Sequence, residues 1–168
     1  MPYARFHREQ TTQQGCVPAC VCMVIERSGS SSSEDEVRSR WQGSKKGFAL
    51  RDGATYIGGE YVQLDPDEPR NYDYLRAMLC DGRWVIAQMF TAELGRIVGS
   101  RNPPLVSAHG PLPTADFFRH VVVLVEATPE GFWYLDPWYR TGDQPMFLDN
   151  VSFARAFQGW VAISQRLP

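Results

Sequence analysis

The chain is predicted to fold as an α+β domain, because helical patterning dominates its first half and antiparallel strand patterning its second. Two observations carry most of that expectation. Cys16, Ala19, Cys20, Met23 and Val24 recur at i, i+3, i+4, i+7 and i+8, the apolar stripe of a buried helix. The runs Val121–Val125 and Phe132–Leu135 flank the turn Thr128-Pro129-Glu130-Gly131 and read as an antiparallel hairpin. With 168 residues, the expectation is a single domain over 1–168, with a helical lobe over about 1–82 and a sheet lobe over about 83–168.

Taken in order, residues 1–15 are polar and end in Gly15, a loop entering a helix at Cys16. Pro18 falls in the first turn, where its missing N–H is not needed, and Ser28-Gly29 ends the helix. Ser28 to Ser33 is a Ser-rich connection, and Ser33 with Glu36 forms a capping-box pattern opening a short helix through Trp41. Residues 43–70, rich in Gly, Asp and Pro, read as loop with at most one helical turn. Asn71 then caps a helix carrying Tyr74, Leu75, Met78 and Leu79, stopped at Asp81-Gly82. Trp84 to Phe90 reads as a strand and residues 91–118 as a long excursion loop. After the hairpin, Asn150 opens a last helix with Phe153 and Phe157, and Trp160 to Ile163 closes as a strand.

Composition narrows the function classes. Hydrophobic residues at 43%, with five Trp, seven Tyr and nine Phe, supply a real core. A net charge of −2 with scattered basic residues gives no reason to expect a nucleic-acid partner. No apolar run approaches a membrane span, and Met1–Gln10 has no signal-peptide core. The expectation is a cytoplasmic protein, or one exported without a cleaved signal as an effector or toxin. Cys16, Cys20, Cys22 and Cys80 are too few and too bunched for a disulfide scaffold, and their spacing matches no common zinc pattern. Neither metal nor cofactor is expected.

Cys16 sits where a loop becomes a helix. Unpaired N–H groups and partial positive charge there stabilise a thiolate and offer donors to an oxyanion. The plainer alternative is a buried cysteine acting as a small hydrophobe, the reading that wins for Cys20 and Cys22. A thiolate nucleophile needs a histidine, and the chain has His7, His109 and His120. His120 opens a buried strand and has the most rigid platform; its plain alternative is a surface histidine at a strand end. Asp136 ends the return strand, within one or two ladder positions of His120, unless Asp136-Pro137 only terminates that strand. Cys at a helix start with His and Asp on one hairpin together favour catalysis. Gln10, six residues before Cys16, offers a side-chain amide to the same oxyanion, with Gln13 and Gln14 as rival donors.

These residues resemble the bacteriocin-processing, double-glycine peptidase family of the papain-like clan. One signature is Gln10-Thr-Thr-Gln-Gln-Gly-Cys16-Val-Pro-Ala-Cys20 leading into an apolar helix. The other is His120-Val-Val-Val-Leu-Val, returning through Phe132-Trp-Tyr-Leu-Asp136-Pro137. The tail Phe153 to Ser164 is similar to the family's closing helix and strand. The resemblance implies a papain-like fold, with the nucleophile helix packed on the antiparallel sheet. It also implies Cys16 as nucleophile, His120 as general base and acid, Asp136 as orienter and Gln10 as oxyanion donor. The chain departs from the family at Gly15, usually Asp, and at Val17, usually Gly, where the larger side chain narrows the space beside the sulfur and favours small residues at the cut. Many family members are the N-terminal domain of an exporter; without a transporter segment, the expectation widens to an effector, a toxin or a peptide-maturation enzyme.

The function expected is hydrolysis of a peptide bond in a peptide or protein substrate through a Cys-His-Asp triad and a thioester. The same triad would serve a deamidase or a transglutaminase-like acyl transferase, and a peptide-binding module without turnover is the third reading. Substrate identity and oligomeric state are not written in the sequence.

Overall fold

Val121–Val125 is apolar at every position because the strand containing it is covered on both faces. The computed structural model describes residues 2–40, 49–105, 107–113 and 119–168. A short 3-10 helix, Pro2–Phe6, precedes α1 (Cys16–Arg27), α2 (Glu34–Ser39) and α3 (Leu50–Tyr56). Then follow β1 (Glu60–Gln63), α4 (Pro69–Cys80), β2 (Val85–Phe90) and α5 (Thr91–Gly99). The chain closes with β3 (Arg119–Thr128), β4 (Gly131–Leu135), β5 (Met146–Asp149), α6 (Asn150–Ala156) and β6 (Phe157–Ile163).

The six strands form one antiparallel sheet in the order β1-β6-β2-β3-β4-β5. Side chains of successive strand residues leave opposite faces, so each face has its own core. On one face Ile86, Val121, Val123, Leu135 and Ala162 meet α1 and α3 through Cys20, Val24, Leu50 and Ala54. On the other, Ala87, Val122, Leu124, Phe132 and Tyr134 meet α4, α5 and α6 through Leu75, Leu94 and Phe153. The result is an α+β sandwich with α1 laid on β3, where the Cys20 thiol donates to the Val121 carbonyl at 3.7 Å.

Several elements follow the sequence closely. Helix α1 begins at Cys16 and ends before Ser28, and the Ser33 hydroxyl accepts from the Glu36 N–H at 3.1 Å to cap α2. Trp41, expected to end that helix, lies outside the described residues. Other expectations are corrected. The segment read as loop over 43–70 contains α3 and β1, and β1 adds the sheet's outer strand beside β6. Its Gly and Asp residues hid a short helix whose buried side chains are Leu50 and Ala54, with Gly53 buried between them. Helix α4 starts at Pro69 with Glu68 as N-cap, not at Asn71, because Pro at the first position is already preset for helix. The excursion opens with α5, whose Leu94 and Val98 pack in the core, and β5 was not anticipated.

The hairpin holds the detail that matters most for the site. β3 and β4 join through a two-residue turn, with Thr128 opposite Gly131. On a flush ladder closed this way, residues sharing a face are separated by an odd number of positions. His120 and Asp136 are sixteen apart and would lie on opposite faces. A bulge between Leu124 and Glu126 slips the register by one, so that Leu124 pairs with Tyr134 and Val123 with Leu135. Continued one step, Val122 faces Asp136, and His120 becomes its diagonal neighbour on the same face.

Candidate active site

The ladder places the His120 Nε2 2.8 Å from Asp136 Oδ1, with both side chains fully buried. Asp136 is held by five hydrogen bonds. Its backbone N–H donates to Gln144 Oε1 at 2.9 Å, and the Trp138 N–H donates to Oδ1 at 2.9 Å. His7 Nε2 at 2.7 Å and the Tyr139 N–H at 3.3 Å donate to its carbonyl, and His120 supplies the fifth contact. With its carboxylate and backbone both fixed, the residue acts as a rigid acceptor.

Cys16 is the first residue of α1, and its thiol is the second group acting on His120. The ring commits Nε2 to Asp136, while Nδ1 is buried with no hydrogen-bond partner. Burial is the largest single influence on the ring and opposes its charge; the Asp136 carboxylate and its hydrogen bond, together with Cys16, outweigh it and push His120 up to about 10. The Trp138 indole stands edge-on to His120 with ring centres 6.3 Å apart and is itself fully buried, screening the pair from solvent. Cys20 behaves as expected of a structural thiol, with burial pushing it well above its ordinary range, and burial likewise pushes Cys22 up to about 12.

Gln10 is only 2% exposed. Its backbone N–H donates to Pro137 O at 2.8 Å, which ties it to the residue following Asp136. One side-chain N–H donates to Thr12 O at 2.6 Å, and the side-chain Oε1 is buried with no hydrogen-bond partner. The loop from Gln10 to Cys16 is clamped by Glu34 of α2, which accepts from Thr11 N–H at 3.0 Å and from the Thr11 hydroxyl at 2.9 Å. Arg38, also on α2, donates to the Thr12 hydroxyl at 2.7 Å. Gly15 is needed here, since a Cβ at that position would lie 2.7 Å from the Glu34 carboxylate.

All four residues singled out in the sequence are thus buried around the end of β3, three of them linked through His120 and Gln10 linked through Pro137. Val17 is buried in the apolar cluster beneath α1, so its bulk lies in the core and gives no support to a preference for small residues at the cut. The sequence reading weighed His7 only as a rival base and missed Gln144 and Glu34. His7 and Gln144 lie in irregular segments and Glu34 opens the short helix α2, so none carries a periodic signal, and each acts on a partner at least eight positions away. Among the described residues no group of three or more His, Cys, Asp or Glu could hold a metal ion, and no helix is long and apolar enough to cross a membrane.

The architecture is papain-like, an N-terminal helix seated on an antiparallel sheet. More narrowly, its likeness is to solved peptidase domains. A chain from Bacillus anthracis described as a C39-like peptidase superposes with a TM-score of 0.62 at 12% identity, covering 98% of this chain and 97% of that one. The peptidase domain of Streptococcus ComA, a bifunctional ABC transporter of a quorum-sensing pathway, gives 0.56 at 14% identity, with coverages of 94% and 96%. A double-glycine-motif protease from an AMS/PCAT transporter, solved with a leader peptide, gives 0.58 at 14% identity, with 94% and 89% covered. No protein-family model and no curated protein matches the chain. The fold is therefore that of the C39-like and double-glycine peptidase domains.

Proposed function

We propose that the protein is a cysteine peptidase in which Cys16, His120 and Asp136 form the triad and Gln10 supplies an oxyanion donor. The observation that carries this reading is the buried His120–Asp136 pair at 2.8 Å, with the Cys16 thiol acting on the same ring from a helix N-terminus. A raised His120 favours the charge-separated pair, so the sulfur attacks as thiolate. The carbonyl oxygen becomes an oxyanion facing the Cys16 backbone N–H and the second N–H of Gln10. His120 delivers its proton to the departing amine, and a thioester to Cys16 remains. Water then attacks the thioester, with His120 taking its proton, and the acid leaves as the thiolate is restored. Asp136 stays ionised throughout and keeps the ring oriented.

The substrate is a peptide or protein held in extended form, a reading supported by the peptidase-domain fold and by the leader peptide bound to one structural neighbour. The same thioester would also serve deamidation or amine transfer, and a peptide library read by mass spectrometry separates the three. New termini that vanish in Cys16→Ala are expected. Conversion of Gln to Glu without cleavage, or Gln–amine adducts, would replace the peptidase reading.

A further inference from the structure

The structure assigns His109 as a positioning residue that sets the oxyanion donor Gln10 from a distant part of the sequence; this rests on the peptidase reading above. His109 Nε2 donates to the Gln10 backbone carbonyl at 2.7 Å across ninety-nine positions of sequence. Nothing in its own neighbourhood requires that bond. Residues 107–110 are docked on Trp138 through three further contacts. The Ser107 hydroxyl donates to the Trp138 carbonyl at 2.6 Å, the Trp138 indole N–H donates to the Gly110 carbonyl at 2.9 Å, and the His109 ring lies 5.2 Å from the indole. The Ser107 hydroxyl also accepts from the His109 N–H at 3.1 Å, which fixes the loop's own shape.

The chain of contacts has a direction. Trp138 is locked to the Asp136 carboxylate, residues 107–110 are locked to Trp138, and His109 carries that rigidity to Gln10. Gln10 otherwise belongs to an irregular loop, where its N–H donates to the Pro137 carbonyl and its side-chain amide to the Thr12 carbonyl. Its N–H and C=O, which belong to the peptide units on either side of its Cα, are therefore gripped by two different segments, and together they fix the direction in which the side chain departs. Release of the carbonyl would let the second unit rotate and swing the amide away from the sulfur, and a displacement of about 1 Å of a positioning group can cost about 100-fold in rate.

The test uses the full chain with His109→Ala and His109→Gln, the second retaining an N–H donor near the Nε2 position. In His109→Ala, kcat on the cleaved peptide should fall by about tenfold or more with KM little changed. Affinity for a peptide aldehyde, whose tetrahedral adduct uses the oxyanion donors, should fall by a similar factor. Alkylation of Cys16 by iodoacetamide, which forms no oxyanion, should stay close to wild type. His109→Gln should restore most of the loss. Equal losses in alkylation, aldehyde affinity and melting temperature would reduce His109 to a structural contact and overturn the assignment, as would full aldehyde affinity in His109→Ala. A wild-type protein that binds no aldehyde and cleaves no peptide would sink the peptidase reading instead. The positioning role would then be decided by the Gln10 side-chain amide resonances, which should move in His109→Ala and return in His109→Gln. Should His109→Ala fail to fold, Ser107→Ala loosens the same segment and the same readouts apply.

Discussion

His7 donates from Nε2 to the carbonyl of Asp136 at 2.7 Å while its Nδ1 meets the Thr141 hydroxyl at 2.9 Å, so the N-terminal segment braces the carboxylate residue from behind. Removing the ring takes the shorter of two hydrogen bonds from the carbonyl, which also accepts from the Tyr139 N–H at 3.3 Å. His7→Ala should lower stability by about 1 kcal/mol in urea unfolding, and should cost more activity than Thr141→Ala, which spares the carbonyl contact. An unchanged unfolding midpoint would show that solvent replaces the brace.

The pH dependence of stability should carry opposite contributions from the two buried histidines. Burial lowers His7, so the unfolded chain binds its proton more readily, and the His7 contribution is full above about 6.5 and lost as pH falls below it. His120 is raised from 6.5 to about 10, so its contribution is full below 6.5 and disappears as pH rises from there to about 10. Melting temperatures across pH should therefore decline on the alkaline side in the wild type, and that decline should be missing in His120→Gln. A wild-type curve flat from neutral to alkaline pH would mean that the ring is neutral.

Cys16 should be the first thiol to react with iodoacetamide, although it is 7% exposed and Cys80 lies on the surface. Cys20 and Cys22, both raised by burial, should be the slowest. His120→Ala should drop Cys16 to the rate of Cys80 or below. Mass mapping that finds Cys80 modified first, with no response to His120→Ala, would remove Cys16 as the nucleophile.

Gln10→Ala should reduce kcat by about 100-fold, the effect of losing one well-placed oxyanion donor. Because the side chain is buried and bonded to Thr12, a stability loss of about 1 kcal/mol should accompany it. Full activity in the variant would move the donor role to Gln13, Gln14 or backbone N–H groups.

Gly15→Ala should be destabilising by about 1–3 kcal/mol, since the new Cβ meets the Glu34 carboxylate that is holding Thr11. The clash is specific, so the double variant Gly15→Ala, Glu34→Ala should lose less than the two single losses added. Strict additivity in unfolding measurements would mean that Glu34 moves aside at no cost.

Much of this site was legible before any coordinates, for physical reasons that differ between residues. Cys16 is betrayed by the stripe that starts at it, and His120 by the apolar run it opens, because both sit at the edge of a periodic pattern. Asp136 was legible only as a neighbour of His120; the face it occupies depends on a bulge inside a run that is apolar at every position, where periodicity is silent. His7, Glu34 and Gln144 grip backbone or side chains brought near by folding, and their own surroundings in sequence carry no trace of it. Helix α5 was lost in the excursion because Gly95 and Gly99 are poor helix formers, and only its burial through Leu94 and Val98 explains its presence.

The single unpaired step in β3 also makes the hairpin a parity device. Gaining or losing one residue on the ladder between His120 and Asp136 would send the carboxylate through to the face beneath α1, into the company of Val123 and Leu135. Changes by two on one strand would leave it on its side of the sheet, two ladder positions nearer to the imidazole or further from it. Chains that reshape this hairpin while keeping the pair together must therefore change it in even steps, or add a second slip to cancel the first. Odd-length grafts between such domains should fail at the imidazole even where they fold.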